Sequence, residues 1–201
     1  MLHFPLEENL PYAALALTAM AIFYGIYFGK MIAQKRKGIR THQIGTRRER
    51  GLHTVEVLMG IATFVIVPVQ LCSIVFGWSH MPQNARFTGF LTTLLGDTIF
   101  LISVLTMRDS WRAGIPEKDR TALVTRGIYA YSRNPAFLGF DCMYIGIFLL
   151  YANWISGLCT AFAIVMLHLQ ILEEEKFMTA THGADYLAYK NKVLRYLGRK
   201  R

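Results

Sequence analysis

The chain is 201 residues long, enough for one compact domain and too short for two comfortable ones. Its residues are 53% hydrophobic, and they lie in long blocks rather than scattered, which excludes an ordinary water-soluble domain. The formal net charge of +9 would point to nucleic acid in a soluble basic protein, but here the basic residues sit between the apolar blocks, where membrane topology and anionic headgroups explain them, so nucleic-acid binding is excluded as well.

Taken in chain order, the first block runs from Pro11 to Ala33 with Lys30 near its end as the only charge. The second, Val57 to Trp78, carries none, and Pro68 within it predicts a kink. The third, Phe87 to Met107, carries only Asp97. The fourth, Ala136 to Ala152, is shorter and carries only Asp141; Asn153 and Trp154 turn it into the fifth, Trp154 to Leu172. A bilayer core of about 30 Å takes roughly 20 residues of helix, so the reading is an all-α integral membrane protein with five transmembrane helices. It forms a single membrane domain over 1–201, with a three-helix part at 1–107 and a helical hairpin in 108–201.

Charge sets the expected orientation. The segments 35–50, 108–133 and 176–201 hold 20 of the 22 Lys and Arg residues, whereas the start of the chain carries Glu7 and Glu8 and the 79–86 turn a single Arg. Positive-inside placement then puts the N-terminus outside and the C-terminus inside, as an odd number of spans requires. Nothing basic precedes the first helix, which is also long for a signal peptide. The membrane is either a cell inner membrane or the endoplasmic reticulum. Cys72, Cys142 and Cys159 all fall inside predicted spans and read as packing residues, with no metal-ligand spacing. No internal repeat is visible, which speaks against a transporter built from duplicated halves.

Several polar residues bear on function. Lys35, Arg36 and Lys37, with Arg47 and Arg48, read as headgroup contacts. His53 and Glu56, one turn apart, read as solvated residues ahead of the second apolar run. Asp97 and Asp141 are functional candidates by position, and equally candidates for helix-to-helix hydrogen bonding. From Thr121 to Val124 a short apolar strand or turn returns the chain to the membrane surface. The loop Gly127 to Gly139 is polar and aromatic, and Pro135 opens the fourth helix, whose free amides favour an anionic group. Of the three carboxylates Glu173, Glu174 and Glu175, at least one is a candidate partner for a positively charged group. His182 and Gly183 read as a helix end, and Tyr186, Tyr189 and Val193 follow at the spacing of a last amphipathic helix laid on the membrane.

The segment Leu123-Val124-Thr125-Arg126-Gly127-Ile128-Tyr129, continued by Arg133-Asn134-Pro135-Ala136-Phe137-Leu138-Gly139, resembles the signature L-V-T-x-G-x-Y…R-[HN]-P-x-[YF]-x-G. Glu174, Glu175, His182, Gly183, Tyr186, Tyr189, Val193 and Arg195 resemble its second half. Both belong to the isoprenylcysteine carboxyl methyltransferase family and related phospholipid-methyltransferase-like membrane enzymes, and the likeness covers residues 111 to 197. It implies an S-adenosylmethionine-dependent methyltransferase with a cytosolic cofactor pocket and a lipophilic or amphipathic membrane substrate, a lipid headgroup or an isoprenoid-type acceptor. By the same likeness, Thr121, Ala122, Leu123, Val124, Tyr129, Asn134, Pro135, Ala136, Phe137 and Glu174 bind the cofactor, and Gln170, Glu174 and Arg133 serve the reaction. Asn134 replaces the usual His. Gln170 stands where prenylcysteine-methylating members carry an Arg that pairs with the substrate carboxylate, and it lacks that charge. The alternative is an NADPH-dependent membrane reductase of the sterol reductase type, whose related signature differs at the residues after Pro135 and around Gly183.

Overall fold

Apolar runs separated by basic loops leave the chain one economical arrangement, a bundle of long helices. The computed structural model describes residues 2–3, 6–44, 50–115 and 122–200, with side chains described from residues 9–44, 53–115 and 122–200. Among these residues there are five α-helices: α1 (Leu6–Arg36), α2 (Arg50–Val75), α3 (Gln83–Met107), α4 (Pro135–Leu150) and α5 (Trp154–Lys192). Two short strands, β1 (Leu2–His3) and β2 (Trp78–Ser79), pair antiparallel where α2 ends. That pairing, after a turn at Gly77, stops α2 at Val75 instead of at Trp78. Pro68 lies inside α2 and the helix continues through it.

Four helical segments are long and apolar enough to cross a membrane: Asn9–Arg36, His53–Val75, Gln83–Ser110 and Trp154–Lys192. The fifth, α4, has 16 residues and is apolar but shorter. Leu, Ile, Val and Phe side chains cover much of the outside of the bundle, Phe64 at 78% exposure among them, as an apolar solvent requires. By contrast, α5 has 39 residues, about 58 Å at 1.5 Å per residue, and outruns its apolar first half. Gly183, at φ 54° and ψ −124°, breaks it near the expected helix end.

The tightest contact is between α3 and α4. Gly89 and Gly96 on α3 face Gly146 and Gly139 on α4, so the two antiparallel backbones meet at two levels seven residues apart. A Cβ on Gly96 would lie 2.7 Å from the Gly139 carbonyl oxygen, and one on Gly89 would lie 2.7 Å from that of Gly146. Close backbone approach through small residues is the ordinary way to hold membrane helices together without a hydrophobic driving force. Around this pair, Phe23 of α1 stacks on Phe100 with centroids 4.5 Å apart, and Phe140 meets both rings edge-on.

Two polar residues behave differently from the sequence reading. Arg86, counted there as a loop charge, is fully buried on α3; it donates to the Leu150 carbonyl at 3.0 Å and to Asn9 Oδ1 at 2.7 Å, under the Tyr12 ring. It clasps α1, α3 and α4 at one end of the bundle. Glu56, expected to be solvated, is also fully buried, and accepts the Ile115 backbone N–H at 3.2 Å; His53 is exposed as expected. The start of α2 therefore packs on loop 111–115, and burial of Glu56 follows from that.

Candidate functional site

The first-turn amides of α4 are set by Pro135, which fits the first helical position, and by Asn134 before it. Asn134 does not cap the helix with its side chain. Instead its amide reaches away to the Arg195 carbonyl at 3.2 Å and Glu175 Oε1 at 3.4 Å. Ala136 and Phe137, in the uncapped first turn, line a cavity of about 710 Å³. Glu174 from α5 lines it too, as do Tyr27 of α1, Thr63 of α2, Trp111 and Arg112 of the loop, and Phe140 and Tyr144 deeper in α4. Its wall is largely apolar, with eight aromatic side chains, and Glu174 is its one lining carboxylate among the described residues.

Gln170, one turn before Glu174 on the same face, is fully buried. Its amide donates to Glu174 Oε1 at 3.3 Å, while its own Oε1 has no partner among the described residues. Glu174 is therefore the carboxylate that the cavity presents to donors on a bound molecule, with the Gln170 amide buried behind it. Tyr129 and Glu56 lie within electrostatic reach of Glu174. Burial pushes the Tyr129 phenol above its ordinary value, so it stays a neutral donor.

One residue further along, Glu175 has a different task. It is nearly fully buried and accepts from Arg133 Nη2 at 2.7 Å, and from Arg195 Nε at 3.1 Å and Nη2 at 3.0 Å. Lys190 stands 3.9 Å away. Arg133 also donates to the Val193 carbonyl at 2.6 Å. The loop of the first motif and the tail of the second are thus joined through one carboxylate, whose hydrogen bonds hold the Arg195 guanidinium above its ordinary value. Tyr189 adds a second tie by donating to the Tyr129 carbonyl at 2.6 Å and the Ser132 carbonyl at 3.3 Å. Tyr189→Phe is expected to cost about 1–2 kcal/mol by removing this hydroxyl donor while keeping the ring. A melting curve of the solubilised protein tests this, with a fall of about 2–4 °C per kcal/mol.

The predicted site residues thus fall into groups. Glu174, Ala136 and Phe137 meet at the cavity, with Gln170 bonded to Glu174 behind it, Pro135 buried next to Ala136 and Tyr129 within electrostatic reach of Glu174. Arg133 and Asn134 meet on Glu175 instead. Leu123 packs against Tyr186, Tyr189 and Val193, the three residues expected on a membrane-facing stripe, and all three are buried. Ala122 is exposed, Val124 is half-buried, and Ala122 to Thr125 form neither strand nor helix. Thr121 lies outside the described residues, as do Arg47 and Arg48. Lys37 pairs with Asp109 at 2.8 Å. Asp97 and Asp141 are buried away from the cavity; neither Asp97 oxygen nor Asp141 Oδ1 has a partner among the described residues. The sequence assigns Tyr24, Tyr27, Trp111, Arg112 and Phe140 no role; they lie on α1, the 111–115 loop and α4, and nothing local in the sequence brings these to one wall.

Comparison with known proteins adds the decisive observation. The phospholipid methyltransferase family profile matches residues 84–185, half of the chain, from α3 to the kink of α5. The chain belongs to this family. Among its relatives, the Protein-S-isoprenylcysteine O-methyltransferase of Saccharomyces cerevisiae is 31% identical over 122 residues, covering 59% of this chain and 51% of the relative. That of Schizosaccharomyces pombe is 36% identical over 72 residues, 35% of this chain and 30% of the relative. The human enzyme of that name is 28% identical over 121 residues, 58% of this chain and 43% of its own length. The chain therefore spans about half the length, or less, of the curated relatives it matches. These relatives lend no support to the reductase reading.

Proposed function

We propose that this member of the phospholipid methyltransferase family is an S-adenosylmethionine-dependent membrane methyltransferase whose site is the polar end of the aromatic cavity. One observation carries the reading: Glu174, hydrogen-bonded to the buried Gln170 one turn behind it, lines the cavity together with Ala136 and Phe137 of the uncapped first turn of α4. These groups suit the cofactor's charges. Glu174 takes its amino or ribose donors, the α4 amides take its carboxylate, and the rings of Tyr27, Trp111 and Phe137 suit a sulfonium cation. When bound, the cofactor supplies an electrophilic methyl group. The chain's own residues hold the two reactants in line and exclude water, and positioning of this kind is where most of the rate enhancement arises.

The acceptor is a lipophilic or amphipathic membrane molecule, a lipid headgroup or an isoprenoid-type compound. It enters sideways past Phe28 and Phe64, half-open aromatic residues of the cavity wall on α1 and α2. Gln170 offers no charge to a substrate carboxylate, but Arg112 on the cavity wall does. This arrangement accommodates an acceptor of the isoprenylcysteine kind named for the relatives. The distribution of basic loops supports a site on the cytosolic side with the N-terminus outside.

Thermal stabilisation of the solubilised chain tests the proposal. S-adenosylhomocysteine at a hundredfold excess over its Kd should add about 2.7 kcal/mol, and NADPH nothing. Stabilisation by NADPH alone would overturn the reading. Glu174→Gln is expected to remove most of the S-adenosylhomocysteine effect and Glu173→Gln, whose partner is the exposed Lys176, to leave it intact. Equal losses from both substitutions would show that the wrong carboxylate has been assigned.

A further inference from the structure

At the inner end of α1 the chain turns back in an extended strap, residues 39–44, and a second cavity of about 750 Å³ opens between strap and helix. The strap is held rigidly from beneath. Thr41 Oγ1 donates to Gln34 Oε1 at 2.6 Å, Gln34 Nε2 donates to the Trp111 carbonyl at 3.0 Å, and the backbone of Thr41 and Gln43 brackets Ala113 with bonds of 3.0 and 2.7 Å. Gln34, Thr41 and Gln43 are all buried. The side chains between them are turned outward by the alternation of an extended chain, so Arg40 and His42 are exposed on the same side.

The cavity has two kinds of wall. Phe28, Met31 and Ile32 continue the apolar outside of α1, with Phe28 and Ile32 each 54% exposed. Facing the loop end are Lys35, Arg40 and His42. Among the described residues no ion pair engages these three and no carboxylate lines the cavity; the nearby Asp109 is taken by Lys37. Such a site carries uncompensated positive charge at the boundary where the apolar run of α1 ends, with a greasy channel leading from it along the helix. A free anion would use only the first feature, and a neutral lipid only the second.

We propose that this groove is a binding site for an anionic phospholipid. Its phosphate is held by Lys35, Arg40 and His42, and an acyl chain lies along Phe28, Met31 and Ile32. The lipid is specific rather than part of a general boundary layer because the strap fixes Arg40 and His42 in advance. Phe28, Met31 and His42 also line the first cavity, so the bound lipid stands directly beside it. The proposal rests on the groove alone and not on the methyltransferase reading.

The test uses the full chain in detergent, incubated with phosphatidylglycerol, phosphatidylcholine of the same chains, or inorganic phosphate, with retained lipid counted by native mass spectrometry and stability followed by melting. Phosphatidylglycerol is expected to be retained and to stabilise, with phosphatidylcholine and inorganic phosphate having little effect. Lys35→Gln and Arg40→Gln should each weaken retention about fivefold, the usual contribution of one basic residue near an anionic surface. The charge-matched pair Arg199→Gln and Lys200→Gln, on the exposed tail, should retain it as the wild type does. Equal retention of the two lipids, an equal response to inorganic phosphate, or undiminished retention by the Lys35 and Arg40 variants would overturn the proposal. S-adenosylhomocysteine stabilisation, measured on the same samples, stays intact if only the groove assignment fails.

Discussion

Gly146→Leu is expected to abolish folded protein, although leucine is the better helix former by roughly 1 kcal/mol. A Cβ at this position would lie within 2.6 Å of the Gly89 carbonyl oxygen and the Thr93 backbone nitrogen, and closer still to Thr93 Oγ1. Two of those three atoms are backbone of the facing helix, so no rotamer change relieves the clash. The helices must separate, and with them goes the seam that places the α4 N-terminus beside Glu174. A larger side chain in a packed interior usually costs about 1–3 kcal/mol. Here the obstacle is a second backbone and the loss should exceed about 4 kcal/mol, enough to unfold a marginal protein. Gly29→Leu is the control: on α1 nothing lies within 4 Å of the added Cβ, so propensity alone acts. Monodisperse yield in size-exclusion chromatography and a melting curve separate the two. Wild-type behaviour of Gly146→Leu would mean that α3 and α4 do not meet as described.

That seam shows which parts of the fold were legible in the sequence. Length and apolarity announce the helices, because lipid imposes both on any spanning segment. The ends were blurred where tertiary contacts decide them, as at Val75, where β1 pairs with β2. The four glycines of α3 and α4 are visible in the sequence, seven residues apart on each helix, but nothing local says which helix meets which. Arg86 and Glu56 failed for the same reason. A charged residue beside an apolar run reads as solvated, and only its partners, Asn9 and Leu150 for one and the Ile115 amide for the other, make burial tolerable.

The site was legible in pieces. Family motifs named both Glu174 and Arg133, but they do not say which residues touch the cavity and which hold its rim. That division is geometric: positions 170 and 174 share one face of α5, and a step of about 100° turns residue 175 towards the tail. The aromatic wall from α1 was out of reach, since Tyr27 and Trp111 are 84 residues apart in sequence yet their rings meet at 5.6 Å.

Glu175→Gln should separate holding from binding. The substitution keeps the shape of the side chain but leaves Arg133, whose side chain is 5% exposed, without a counter-charge, and sets it beside Arg195 and Lys190. Removing one member of a buried pair costs about 3–5 kcal/mol, mostly because a charge is left uncompensated. The share of Arg195 is smaller, since its side chain is 34% exposed and water screens it. A fall in Tm on the order of 10 °C follows at 2–4 °C per kcal/mol. The change should be local before it is global. Residues 131–134 and 193–198 are tied by Arg133, by the Gly198 N–H bond to the Tyr131 carbonyl and by Asn134, so their amides should exchange faster than those of α3. Glu174→Gln should do the opposite, holding the melting point of the empty protein and losing the response to S-adenosylhomocysteine. If the two neighbours behaved alike, Glu175 would belong to the cavity and not to its frame, and the loop from Gly127 to Gly139 would owe its position to the cofactor rather than to the tail.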